Sequence, residues 1–254
     1  MGMASAVFTA TIKKRRFLYL SGLFAVAEML TLLYDSSLAS TYGGTAIISL
    51  ASALFAYNLY FSSIFLSDAV SEELGSEGRF IFLRSVFRNA RRYVWIKAWL
   101  SIAVAFALIG ISSVIFITAL SLRLGLAAGL STALPLFLAM ALAMQVQIIG
   151  VGSLFRNSKI AIAFTFIFYA VVYNGVLIYA LSVGRAYPFM DLAYALTVSL
   201  SNAMKLGIAS LSAGTKGGLP IIQFSSADLA LSIAANLLVG IMALAVRARG
   251  MADA

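Results

Sequence analysis

The chemistry open to this chain is limited by the residue types it contains. It has 18 lysines and arginines and nine acids, but no histidine and no cysteine. Imidazole bases, thiolate nucleophiles and the commonest transition-metal ligands are therefore absent. No G-x-x-x-x-G-K-[ST] pattern occurs, since the fragment from Gly214 to Gly217 lacks the required spacing. The sequence predicts no catalytic residue, no bound metal or cofactor, and no enzyme activity of the chain by itself.

Four polar residues stand out because they lie inside long apolar runs. Glu28 is an acid in the first run, where an ionised carboxylate is costly enough to need a partner or a proton. Asn58, Gln145 and Asn174 offer hydrogen-bonding groups in three other runs. One interpretation is that these residues line a cargo or proton path. The other is that they hold helices together, with Glu28 bonded to a neighbour such as Asn58.

The composition places these residues in a membrane protein. Hydrophobic residues make up 62% and charged residues 11% of the 254 residues, and mean hydropathy is +1.01. No soluble domain of this length could cover such a surface, so the class is an all-α polytopic membrane protein with a single transmembrane domain. The first run spans about 27 Å, close to the hydrocarbon thickness of a bilayer. The predicted spans are 17–34, 45–67, 97–120, 130–154, 160–183 and 229–246.

Three segments outside the spans have a distinct pattern. Residues 3–16 place apolar residues ahead of a basic cluster and predict an N-terminal interfacial helix. The loop 68–96, together with Lys97, holds ten of the 27 formal charges and contains a short amphipathic helix. The connection 184–226 is apolar in part and is predicted to form external interfacial or re-entrant helices.

The bases are distributed unequally between the two sides of this six-span arrangement. Fourteen lie in the N-terminal arm, the loop after the second span, the turn 156–159 and the tail, and four lie on the opposite side. Because cytoplasmic segments collect lysine and arginine, both termini are predicted to be cytoplasmic, in the cell membrane. The net charge of +9 then needs no nucleic acid partner to explain it.

The order of these features resembles the permease, or transmembrane subunit, of an ABC-2 type transporter, a family of ATP-driven exporters. Glu77 and Gly78 match the acid-Gly pair of that family's loop between the second and third spans. The chain departs from the pattern at Arg79, where threonine is usual, and at Phe87, where proline is common. Lys97 matches the lysine that opens the third span.

The resemblance implies that residues 70–90 form a coupling helix that docks on a separate cytoplasmic ABC ATPase subunit, which binds ATP and magnesium. It also implies that two permeases, as a homodimer or heterodimer, enclose the cargo path. The same face could instead rest on anionic lipid headgroups. The docking residues implied are Glu77, Gly78, Phe80, Leu83, Arg84, Phe87 and Arg88.

Two other function classes stay open at this point. A proton-coupled secondary carrier could use Glu28 as its proton site, although the spans contain no detectable inverted repeat. A membrane scaffold or assembly protein would need no transported substrate at all. The sequence does not indicate which cargo an exporter of this kind would carry.

Overall fold

In the computed structural model the described residues form helices and no strand. They are residues 8, 15–42, 44–71, 90–125, 130–173, 175, 178, 179, 183 and 225–250. Five of the helices are long and apolar enough to cross a membrane, so the chain is a multi-pass helical membrane protein. The helices are α1 (Arg15–Tyr42), α2 (Gly44–Phe65), α3 (Ala90–Arg123), α4 (Leu130–Ser153), α5 (Ser158–Ile167) with a π-helical continuation (Phe168–Tyr173), and α6 (Ser226–Gly250).

Helices α1 and α3 are longer than the sequence analysis predicted. Helix α1 continues past residue 34, and the extension carries Asp35 inside the helix. Helix α3 begins at Ala90, so that residues 90–96, predicted as loop, form its first two turns. No proline or glycine interrupts this segment, and its charged residues favour water without opposing a helix. At 34 residues α3 is about 51 Å long, more than a hydrocarbon core is thick.

Several predicted features lie wholly or largely outside the described residues. They include the coupling helix, most of the N-terminal interfacial helix and nearly all of the connection 184–226. The fifth predicted span, 160–183, is described continuously only as far as Tyr173, as a shorter apolar helix. The count of six spans therefore stays a prediction.

Side-chain contacts show which helix ends share one end of the bundle. Asp68, just after α2, contacts both Arg16 at the start of α1 and Ser158 at the start of α5. Arg247, near the end of α6, lies close enough to Arg156, just after α4, for the two positive charges to interact. These ends form what we call the basic end.

The direction of α3 follows from the short segment that joins it to α4. The six residues between Arg123 and Leu130 reach at most about 25 Å, whereas α4 is about 36 Å long. Since α4 ends at the basic end, α3 must begin there. Of the ten bases among the described residues, only Arg123 then lies at the opposite end of the bundle, which we call the far end. The others are Arg15, Arg16, Arg91, Arg92, Lys97, Arg156, Lys159, Arg247 and Arg249.

Helix α4 is the centre of the bundle, because it packs against α2, α3, α5 and α6. Its contact with α6 is the most extensive and is made by glycines. A β-carbon at Gly150 would lie 2.6 Å from the Cα of Gly240, and one at Gly152 would lie 2.6 Å from the Cα of Ser67. The helix backbones therefore touch, which is how small residues allow close packing in a membrane.

Alanine at Gly240 is expected to force α4 and α6 apart. The added methyl group would collide with the backbone of Val146 and Gln147, and overpacking of this kind typically costs about 1–3 kcal/mol or more. Thermal unfolding of the detergent-solubilised chain should show a lower midpoint. Gly22→Ala is the matched control, since nothing lies within 4 Å of the added carbon and helix propensity improves. Equal midpoints for the two variants would contradict the close contact.

The orientation of the bundle can be tested with single cysteines, because the chain has none of its own. Gly250→Cys lies at the basic end in open space, and Ser131→Cys is exposed at the start of α4. An impermeant thiol reagent applied to intact cells should label Ser131→Cys and leave Gly250→Cys unlabelled. The opposite pattern would place the basic end outside the cell.

Candidate functional site

A buried carboxylate joins three helices at the basic end. Helix α2 ends at Phe65, and the turn that follows holds Asp68 with only 3% of its surface exposed. One oxygen of Asp68, Oδ2, accepts hydrogen bonds from Arg16 Nη1 and from Ser158 Oγ, both at 2.6 Å. The carboxylate also faces the amino-terminal end of α5, where the helix dipole favours negative charge. We call Arg16, Asp68 and Ser158 the Asp68 junction.

The Asp68 junction fixes the start of the connection between α2 and α3. Ser71 Oγ bonds back to the carbonyl oxygen of Asp68 at 3.4 Å, at the last described residue before the connection. On the other side, Tyr93, Val94 and Lys97 are buried in the first turns of α3. Both ends of the connection are therefore held by buried side chains. A force that displaces the connection would act on α1, α2, α3 and α5 together.

A layer of buried polar residues lies in the middle part of five helices. Each stands seven to fourteen residues from the basic end of its own helix, or about 10–21 Å along it. This range brackets the middle of a hydrocarbon core about 30 Å thick. The residues of this layer are Glu28 on α1, Asn58 on α2, Gln145 on α4, Tyr169 in the π-helical segment and Asn236 on α6.

Glu28 is bound by α3 and not by Asn58, the neighbour suggested from sequence. Its side chain is 2% exposed, and its Oε1 accepts from Ser112 Oγ at 3.0 Å and Ser113 Oγ at 3.4 Å. Hydroxyl groups on adjacent residues of one helix turn can reach the same carboxylate oxygen. This arrangement supplies hydrogen bonds to Glu28 without an opposite charge.

Asn58 and Gln145 bond to each other and join α2 to α4. Gln145 Nε2 donates to Asn58 Oδ1 at 2.9 Å, and Ser62 Oγ donates to the same oxygen at 3.0 Å. Both amides are fully buried, which agrees with the interpretation that they hold helices together. Within the described residues, Asn58 Nδ2 and Gln145 Oε1 have no hydrogen-bond partner. The pair is thus only half satisfied, and half-satisfied polar pairs are costly to bury.

The π-helical segment directs a tyrosine at α4. Tyr169 is 3% exposed and its hydroxyl group donates to Gln147 Oε1 at 2.7 Å. A π-helical turn widens the helix and rotates the residues that follow, and such turns occur often at functional sites. Tyr169 is not among the residues singled out from the sequence, since no residue pattern marks a π-helical turn.

Asp35 is a third buried acid, and the sequence analysis did not single it out. Its side chain is fully buried on α1. The Ser49 hydroxyl group lies near the carboxyl group, but neither oxygen makes a hydrogen bond of normal geometry to a described residue. Asp35 lies seven residues after Glu28, a spacing that returns to the same helix face. That spacing is the signal that could have found it.

Other predicted site residues are not placed by the structure. Asn174 lies outside the described residues, as do Glu77, Gly78, Phe80, Leu83, Arg84, Phe87 and Arg88. Within the described part of the chain, no group of three or more acids could hold a metal ion. No family model matches the chain, and no curated protein matches its sequence. Function must therefore be argued from the residues and their contacts.

Removing the charge at Asp68 should weaken the junction. Asp68→Asn is expected to lower stability by about 1–2 kcal/mol, because hydrogen bonds to a charged group are lost while Arg16 can still reach water. The measurement is the thermal midpoint of the solubilised chain. Combined with Arg16→Met, the loss should be smaller than the sum of the single losses, because the two side chains are in contact. Arg15→Met, at an exposed neighbour, should show additive losses; additivity for Arg16 as well would contradict the junction.

Proposed function

We propose that this chain is the permease subunit of an ABC-2 type exporter, driven by ATP hydrolysis on a separate cytoplasmic subunit. The observation that carries the proposal is the double anchoring of the connection between α2 and α3. A partner that pushes on this connection acts on Asp68 at one end and on the buried first turns of α3 at the other. Motion at the surface is thereby passed to the helices.

The position of the connection also supports docking. It leaves and re-enters the bundle at the basic end, which the positive-inside rule assigns to the cytoplasm. The spacing of Phe80, Leu83 and Phe87 predicts an apolar face with arginines at its rim, the usual composition of a docking surface. An ATPase subunit in the cytoplasm would meet this face without crossing the membrane.

The amides of the polar layer have a supporting role in this proposal. Asn58 and Gln145 are enclosed between α2 and α4, and so pair helices and do not face a cargo path in this conformation. The cargo path is then formed between two permeases, as a homodimer or heterodimer. Much of α1 and α6 faces away from the bundle and is open to lipid or to such a second copy.

A charge placed on the docking face should separate the permease from its ATPase. Leu83→Asp puts a carboxylate into this predicted face, at a position outside all of the predicted spans. Truncating a true anchor costs about 2 kcal/mol or more, near thirtyfold in affinity, and a buried charge should cost at least as much. We expect co-purification of the ATPase subunit and ATP-dependent export to be lost, while membrane insertion is unchanged.

Ser131→Asp is the matched control for this experiment. It adds the same side chain at an exposed position in the first turn of α4, at the far end, where the helix dipole favours an acid. It should keep the ATPase subunit at the parental ratio. Retention of the subunit by Leu83→Asp at that same ratio would overturn the docking proposal. Purification of the wild-type chain with no ATPase subunit would favour a secondary carrier.

A further inference from the structure

One face of α1 carries a string of polar groups through the far half of the membrane. Glu28, Thr31 and Asp35 lie within an arc of about 60° around the helix axis. Thr31 Oγ1 and the hydroxyl group of Tyr57 on α2 are hydrogen-bonded at 2.9 Å, between the two acids. Asp35 stands 19 residues after Arg16, or about 28 Å, which is near the far boundary of the hydrocarbon core.

Among the described residues, the helices packed against α1 are α2 and α3, and neither directs a basic side chain at these acids. The only titratable residues of α2 are Tyr57 and Tyr60, and α3 has none between Lys97 and Arg123. A buried carboxylate without a cationic neighbour is strongly disfavoured in lipid. Each acid therefore needs a proton or a small cation to neutralise it.

The hydrogen bonds around Glu28 suit the gain and loss of a proton. Ser112 Oγ lies 3.0 Å from Glu28 Oε1, 2.8 Å from the carbonyl oxygen of Leu108 and 3.1 Å from that of Ile109. A hydroxyl group has one proton to donate. It can donate to an ionised Glu28, or donate to a carbonyl oxygen and accept the proton of a neutral Glu28. Both charge states keep a hydrogen bond.

Among the described residues, the ligands around Glu28 are too few for a metal cation. Glu28 and the two serine hydroxyl groups offer a small set of oxygens on one side of the carboxylate, whereas hard cations take about six or more. At Asp35 neither carboxyl oxygen has a partner of normal geometry among the described residues. A proton requires no coordination shell and fits both positions.

We infer that Glu28 is a reversible proton-binding site near the middle of the membrane, reached from the far end of the bundle through Asp35 and the Thr31–Tyr57 pair. The site lies on α1, the helix that the Asp68 junction ties to the connection between α2 and α3. The inference does not depend on the proposed exporter function, because it concerns this chain alone.

The first experiment asks whether Glu28 holds a proton. The full chain in proteoliposomes is treated with dicyclohexylcarbodiimide, which modifies protonated carboxylic acids in apolar surroundings, and modified peptides are identified by mass spectrometry. We expect modification at Glu28 that decreases as pH rises and is lost in Glu28→Gln. Absence of modification in the wild-type chain at every pH would overturn the inference. Protection by Na⁺ at constant pH would replace the proton with a metal cation and also overturn it.

The second experiment tests the route. Exchange of the Glu28 acid proton for deuterium is followed by infrared spectroscopy of the C=O stretch after the buffer is changed to D₂O. Asp35→Asn and Thr31→Val should each slow this exchange about tenfold, as expected for one impaired transfer step. Thr165→Val is the control, since it removes a threonine hydroxyl that is bonded only within α5. Unchanged rates in Asp35→Asn and Thr31→Val would show that the proton arrives by another way.

Discussion

The contact of α4 with α6 through bare backbone is the feature on which the other contacts depend. Lipid chains are as apolar as leucine, so helices in a membrane associate by close packing and hydrogen bonds and gain little from the hydrophobic effect. Gly150 and Gly240 allow that packing, and Gly152 does the same against the turn after α2. Once α4 is fixed at the centre, its two glutamines come into reach of Asn58 and Tyr169.

The polar layer that results is costly and specific. Amides buried in hydrocarbon must find partners, so their bonds fix the depth at which helices meet. Gln145 satisfies only part of Asn58, and the remaining polar atoms are a source of strain that another conformation could relieve. Glu28 differs, because serine hydroxyl groups can serve either of its charge states. The layer therefore contains one carboxyl group, Glu28, among three amides and a tyrosine.

Helix α1 carries both a part of the Asp68 junction and the buried polar residues Glu28, Thr31 and Asp35. Arg16 binds Asp68 at the start of the helix, and Glu28 lies about 18 Å farther along it. A helix is stiff over this length, so a displacement at the connection and a change of charge at Glu28 would act on the same element. Coupling of the two would need α1 to have two arrangements, each favoured by a different charge state of Glu28.

The sequence by itself determined the class of the protein, a multi-pass helical membrane protein, because hydropathy and length mark a membrane span directly. The predicted runs 45–67 and 130–154 agree with α2 and α4 to within two residues at each end. Only the tertiary structure decided which polar groups meet. Asp68 lies 52 residues from Arg16 and 90 from Ser158, and Glu28 binds serines more than 80 residues away. Serine is common and its spacing carries no signal, so only the packing of α1 against α3 selects Ser112 as the partner of Glu28.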